Sequence, residues 1–124
     1  MPHLILEYTA NIQQEIDSDT LFSSLHRILA TTGGINVENC KSRVISLEDF
    51  FIGQGNKSNV FVHLDITFLH GKPAELQQAI GKKCLTYLKE YFSPSVAKNA
   101  LQITVVINEI QKSAYFKYPG GTLR

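Results

Sequence analysis

With 124 residues, 44% of them hydrophobic and 19% charged, and a net charge of +1, the chain has the make-up of one globular domain spanning residues 1–124. A near-balanced charge without any basic run excludes an electrostatic grip on nucleic acid or on an anionic membrane surface. No window reaches the roughly 20 apolar residues of a bilayer-spanning helix, and the opening lacks a signal-peptide pattern, so a cytoplasmic setting is expected.

The predicted elements come in a repeated order. Leu4 to Tyr8 is a short apolar strand, and Asp17-Ser18-Asp19 supplies helix N-cap residues. Leu21, Phe22, Leu25, Ile28 and Leu29 then recur along one helical face until Gly33-Gly34 stops the helix. Lys41 to Ile52 reads as a long second strand, and Gly53 to Asn59 as a loop. In the third strand Val60, Val62, Leu64, Ile66 and Phe68 alternate with Phe61, His63, Asp65 and Thr67, the period of two that a half-buried sheet requires.

Pro73 falls at the expected first position of a second helix, whose apolar stripe runs from Leu76 through Ile80, Cys84 and Leu88 to Tyr91. Pro94 lies beyond its end, and Leu101 to Ile110 is a near-continuous apolar strand. The tail, with Tyr115, Phe116, Tyr118 and Pro119-Gly120-Gly121, is expected to form an arm that docks on another subunit.

The fold class is therefore α+β: a tandem β-α-β repeat giving a four-stranded mixed sheet with two helices on one face. Parallel pairs need crossover helices, and the central loop suits an antiparallel hairpin between the second and third strands. The uncovered face is expected to keep apolar side chains from the last strand, which points to a homo-oligomer with its sheets packed together.

Pro2, immediately behind Met1, is the residue with the most chemical content. Were Met1 trimmed, its ring nitrogen would be a secondary amine, and burial would bring its proton affinity toward neutral pH, where a general base works best. The four histidines, His3, His26, His63 and His70, show no metal-ligand spacing, so no metal is expected. No nucleophile elbow or phosphate-binding glycine loop occurs, and no cofactor is implied. Cys40 and Cys84 are far apart and expected to be free thiols.

Several segments together resemble the 5-carboxymethyl-2-hydroxymuconate Δ-isomerase family of the tautomerase superfamily. They are the opening Met-Pro-His-Leu-Ile-Leu-Glu-Tyr with Asn11-Ile12, then Lys41-Ser42-Arg43-Val44, Phe61-Val62-His63-Leu64 and Phe116-Lys117. The resemblance implies a homotrimer whose sheets line a central barrel and a cofactor-free proton shift in an unsaturated 2-hydroxy or keto acid met in aromatic degradation. It also implies Pro2 as the base, with Lys41, Arg43 and Lys72 binding substrate carboxylates. Phe50 and Phe51 fall where the family has apolar wall residues, and at most one of them should line the site.

Lys41 and Lys72 stand where the family has arginines. Lysine keeps the charge but loses the planar fork that grips a carboxylate through two hydrogen bonds. A monoacid substrate, or a non-catalytic trimeric binding protein on the same scaffold, is the alternative these lysines leave open.

Overall fold

A computed structural model describes residues 1–96 and 100–120. Leu4 and Leu6 in the first strand, β1 (His3–Thr9), are wholly buried, and this apolar stripe draws the strand into the middle of the sheet. β2 (Lys41–Leu47) pairs parallel to one side of it, and β3 (Asn59–Leu69) pairs antiparallel to the other. β4 (Ala100–Ile110) pairs parallel to β3, and the strand order is β2-β1-β3-β4. Helix α1 (Ser18–Gly33) joins β1 to β2, and α2 (Ala74–Tyr91) joins β3 toward β4, followed by a single turn, α3 (Ser93–Val96). The core is one layer, mostly of Leu, Ile and Val with Phe68 and Phe92, between the sheet and both helices, including Leu21, Leu25 and Leu29 of α1 and Ile80, Cys84 and Leu88 of α2.

The helix ends follow their local chemistry. Asp17 caps α1 by accepting from the Thr20 backbone N–H at 3.3 Å and from its hydroxyl at 2.8 Å. Gly34 closes α1 at φ +64°, a left-handed conformation that costs glycine nothing, and its N–H donates to the Ala30 carbonyl. Pro73 sits at the N-cap of α2, one residue earlier than expected. Pro94 lies beyond α2 as expected, but within the unpredicted turn α3.

Three expectations are corrected. β2 ends at Leu47 and not at Ile52, because its one partner among the described residues, β1, ends at Thr9, which is paired with Leu47. The second and third strands are not a hairpin: β1 lies between them, and the connection from Glu48 to Ser58 is long enough to pass over its end. The uncovered face is less apolar than expected, keeping Ile5, Ile45, Phe61 and Val106 among polar neighbours. In β4, Leu101, Ile103, Val105 and Ile107 turn to the core, leaving Gln102, Thr104, Val106 and Asn108 outward. Beside them on β3 stand His63, Asp65 and Thr67, so the face is mostly polar: Asn108 Nδ2 donates to Asp65 Oδ2 at 3.0 Å, and His63 bonds Thr104.

Part of the tail folds back on its own chain. After a single 3₁₀ turn (Lys112–Ala114), Tyr115 packs on His3 of its own chain, ring centroids 6.4 Å apart. Phe116 and Tyr118 remain 88% and 97% exposed, and Gly121 lies outside the described residues.

Candidate active site

The site grows from the start of β1. Pro2 is buried, and its carbonyl accepts the Lys41 backbone N–H at 3.1 Å, which extends the β1–β2 ladder one step beyond His3. The sheet thereby fixes the proline ring against the helix layer. Met1 in front of it lines a cleft of about 350 Å³ between the end of α1 and the loop that leads into α2. Gly34, Asn36, His70, Lys72 and Lys112 are among its walls.

Lys72 reaches this cleft from the loop before α2. Its Nζ donates to the Gly33 carbonyl at 3.3 Å, at the negative end of the α1 dipole. The bond is long, so the ammonium is tethered near the cleft and not locked. Lys41 is exposed and its Nζ donates to the Asn39 carbonyl at 3.3 Å, again a cleft-wall residue. Burial lowers the proton affinity of the terminal amine, and the Lys41 and Lys117 charges push it further down, while Cys40 pulls weakly the other way.

Arg43 stands on the open face of β2, paired in register with Ile5, and its Nη1 lies 2.9 Å from His3 Nδ1. It pairs with neither Glu48 nor Asp49. Pro2, Lys41 and Lys72 are thus brought to one end of the sheet, with Arg43 a step away on the outer face.

Phe50 and Phe51 are not brought there. They follow the far end of β2, and seven strand residues put them about 20 Å from Pro2 within the chain. Phe51 is 75% exposed, its ring lying over Gly55.

Sequence reasoning missed Lys112, Lys117 and the engagement of His3 by Arg43 and Tyr115. The signal for the lysines lies in the tail itself: Lys112 and Lys117 flank Tyr115, and a docked Tyr115 carries both toward the N-terminus. Among the described residues, no group of three or more His, Cys, Asp or Glu side chains is arranged to hold a metal, and no helix is long and apolar enough to cross a membrane.

The tandem β-α-β repeat and its four-stranded mixed sheet define the tautomerase type of fold. Solved structures at low identity share that fold. A member of the cis-3-chloroacrylic acid dehalogenase family aligns over 98% of this chain and 83% of its own, with TM-score 0.74 at 12% identity. A symmetric trimer of fused 4-OT aligns over 97% and 94%, with TM-score 0.75 at 13% identity.

Sequence identifies the branch: the pattern of 5-carboxymethyl-2-hydroxymuconate isomerase matches residues 2–119, and the chain belongs to that family of isomerases. It is 27% identical over 117 residues to the 5-carboxymethyl-2-hydroxymuconate Delta-isomerase of Escherichia coli, covering 94% of this chain and 93% of that protein. The 5-carboxymethyl-2-hydroxymuconate isomerase of Deinococcus radiodurans R1 superposes with TM-score 0.84 at 25% identity, over 94% of this chain and 87% of that one.

Proposed function

We propose that the chain, once Met1 is removed, is a cofactor-free tautomerase that moves a proton within an unsaturated 2-hydroxy or keto acid similar to 5-carboxymethyl-2-hydroxymuconate. The observation that carries this is the setting of Pro2: buried, fixed by the β1–β2 ladder, and directly behind Met1, which lines a cleft together with Lys72 and Lys112 and whose amine feels the Lys41 and Lys117 charges. Loss of Met1 turns the Pro2 nitrogen into an amine one residue from the Met1 amine that burial and two cations already depress. An amine so placed is unprotonated, and so able to act as a base, over more of the neutral range.

The reaction follows from these groups. The ring nitrogen takes a proton from the carbon next to the substrate carbonyl, and the C–H electron pair spreads into a dienolate. A lysine ammonium at the cleft stabilises the oxyanion as charge develops. The proton then returns from the ring nitrogen to the distal carbon of the dienolate, restoring the free amine. Lys41, Lys72 and Arg43 hold the substrate carboxylates, and as point charges the two lysines accept one carboxylate as readily as two.

The homotrimer belongs to the same reading, by analogy with the symmetric 4-OT trimer. Within it, Phe50 and Phe51 could only serve a neighbouring subunit's site, since they stand at the far end of their own sheet. A cytoplasmic location accords with the free thiols Cys40 and Cys84.

The test uses preparations with different degrees of Met1 removal, measured by intact mass, and ketonisation of 2-hydroxymuconate followed by absorbance. Activity should scale with the trimmed fraction. Equal activity from a fully untrimmed preparation would exclude the proline base.

A further inference from the structure

His3 opens β1 on the face away from the helices, directly after Pro2, and the isomerase reading gives it no part. Both of its ring nitrogens are nevertheless engaged. Arg43 Nη1 lies 2.9 Å from Nδ1, and Tyr115 Oη lies 3.4 Å from Nε2. A guanidinium offers donors only, so Nδ1 must accept. The ring is then neutral, with its proton on Nε2 directed at the tyrosine hydroxyl.

The surroundings favour that state. Lys41 and Arg43 face His3 from β2, and the terminal amine lies beside it. From β3 come Thr67, its register partner, and Asp65, whose carboxylate is occupied by the Thr67 hydroxyl at 3.1 Å and by Asn108 at 3.0 Å. From the tail comes Tyr115. Burial and the charge of Arg43, followed by the terminal amine and Lys41, lower the proton affinity of the imidazole.

We propose that His3 is a positioning residue for the isomerase: its Nδ1 holds the Arg43 guanidinium in one direction at the opening of β1, so that the remaining N–H groups meet a substrate carboxylate already oriented. This rests on the tautomerase reading above. An arginine on an edge strand otherwise gives up its rotamer freedom each time it binds. The Nε2–H at the same time fastens Tyr115, and with it the stretch that carries Lys117 to the terminal amine. Arg43 is the one site cation that keeps the guanidinium fork, which makes it the group that selects a second carboxylate. His3 thereby governs the preference for a diacid over a monoacid. Protonation of His3 places an N–H against the guanidinium and removes the acceptor, so KM for a diacid rises as the pH falls through the depressed titration of this ring.

The experiment compares trimmed wild-type protein with His3→Leu and His3→Asn, whose amide oxygen can replace Nδ1 as acceptor. The probes are 2-hydroxymuconate, a diacid, and 2-hydroxypenta-2,4-dienoate, a monoacid, with kcat and KM taken from pH 5 to 8. His3→Leu should raise KM for the diacid about tenfold, the worth of one charge-assisted hydrogen bond, with kcat within about twofold and the monoacid KM little changed. His3→Asn should recover most of the loss and show no acid-side rise in KM. Should His3→Leu fail to fold, His3→Asn decides alone: an acid-side rise that persists in it overturns the proposal. Wild-type turnover with an unchanged diacid KM in His3→Leu overturns this inference and leaves the tautomerase reading standing. A trimmed wild type that converts neither probe overturns both.

Discussion

Lys72→Met separates a helix-capping lysine from a substrate-binding one. The substitution keeps the apolar stem and removes the ammonium. In the free protein that ammonium makes one hydrogen bond, to the Gly33 carbonyl at 3.3 Å, from a half-buried position. A bond of that length with water at hand contributes about 0.5–1 kcal/mol. For a chain of this size such a loss lowers Tm by roughly 2–5 °C. If the ammonium instead meets a carboxylate inside the cleft, its loss removes a charge-assisted bond worth about 1.5–3 kcal/mol. That corresponds to a KM higher by roughly 10- to 100-fold. The two effects are read separately, by thermal denaturation followed by circular dichroism and by steady-state kinetics on 2-hydroxymuconate. The account expects both, with the kinetic effect much the larger. A fall in Tm with kcat/KM unchanged would show that Lys72 only closes the end of α1, and the carboxylate role assigned to it would be wrong.

Other consequences follow from the same geometry. Gly34→Ala meets no atom within 4 Å but must hold φ +64°, so it should cost about 1–2 kcal/mol from backbone strain alone. Gly33→Ala places its Cβ 2.8 Å from Ile80 Cδ1, and the overpacking between α1 and α2 should cost about 1–3 kcal/mol; urea denaturation measures both variants. His3 and His26 both titrate below the ordinary histidine range in the folded chain, His3 through burial and then Arg43, His26 through burial alone. The unfolded chain then binds more protons than the folded one below pH about 6.5, so stability should fall as the pH drops through that region. Urea midpoints from pH 7.5 to 5 test this, and a midpoint that rises on acidification contradicts it. The Cys84 thiol is buried in the core and pushed up to about 12, so a thiol reagent at pH 8 should modify Cys40 in the native protein and reach Cys84 only on unfolding.

The repeat was legible because its signals are local. Alternation from Val60 to Phe68, the apolar stripes at Leu21–Leu29 and Ile80–Leu88, and the Asp17 and Gly34 caps each reflect forces acting within one element. Strand order was not legible, since nothing in the loop from Glu48 to Ser58 says that it passes over β1; that outcome depends on the complete burial of Leu4 and Leu6. The facing of β4 was ambiguous for a related reason. A run such as Leu101-Gln102-Ile103-Thr104-Val105-Val106 alternates only loosely, and the helix layer decides which set it accepts. At the site, Pro2 was visible by residue type and position, and Lys72 only through the family resemblance. Lys117 and the His3–Arg43–Tyr115 chain were not, because they depend on where the tail turns after β4.

The central claim concerns one nitrogen, and Pro2→Ala interrogates it. With Met1 shown by intact mass to be absent from both proteins, kcat/KM for ketonisation of 2-hydroxymuconate should fall by about 10²–10⁴-fold in Pro2→Ala, with Tm within a few degrees of wild type. Turnover that matches the wild type would show that the secondary ring amine is not the required base.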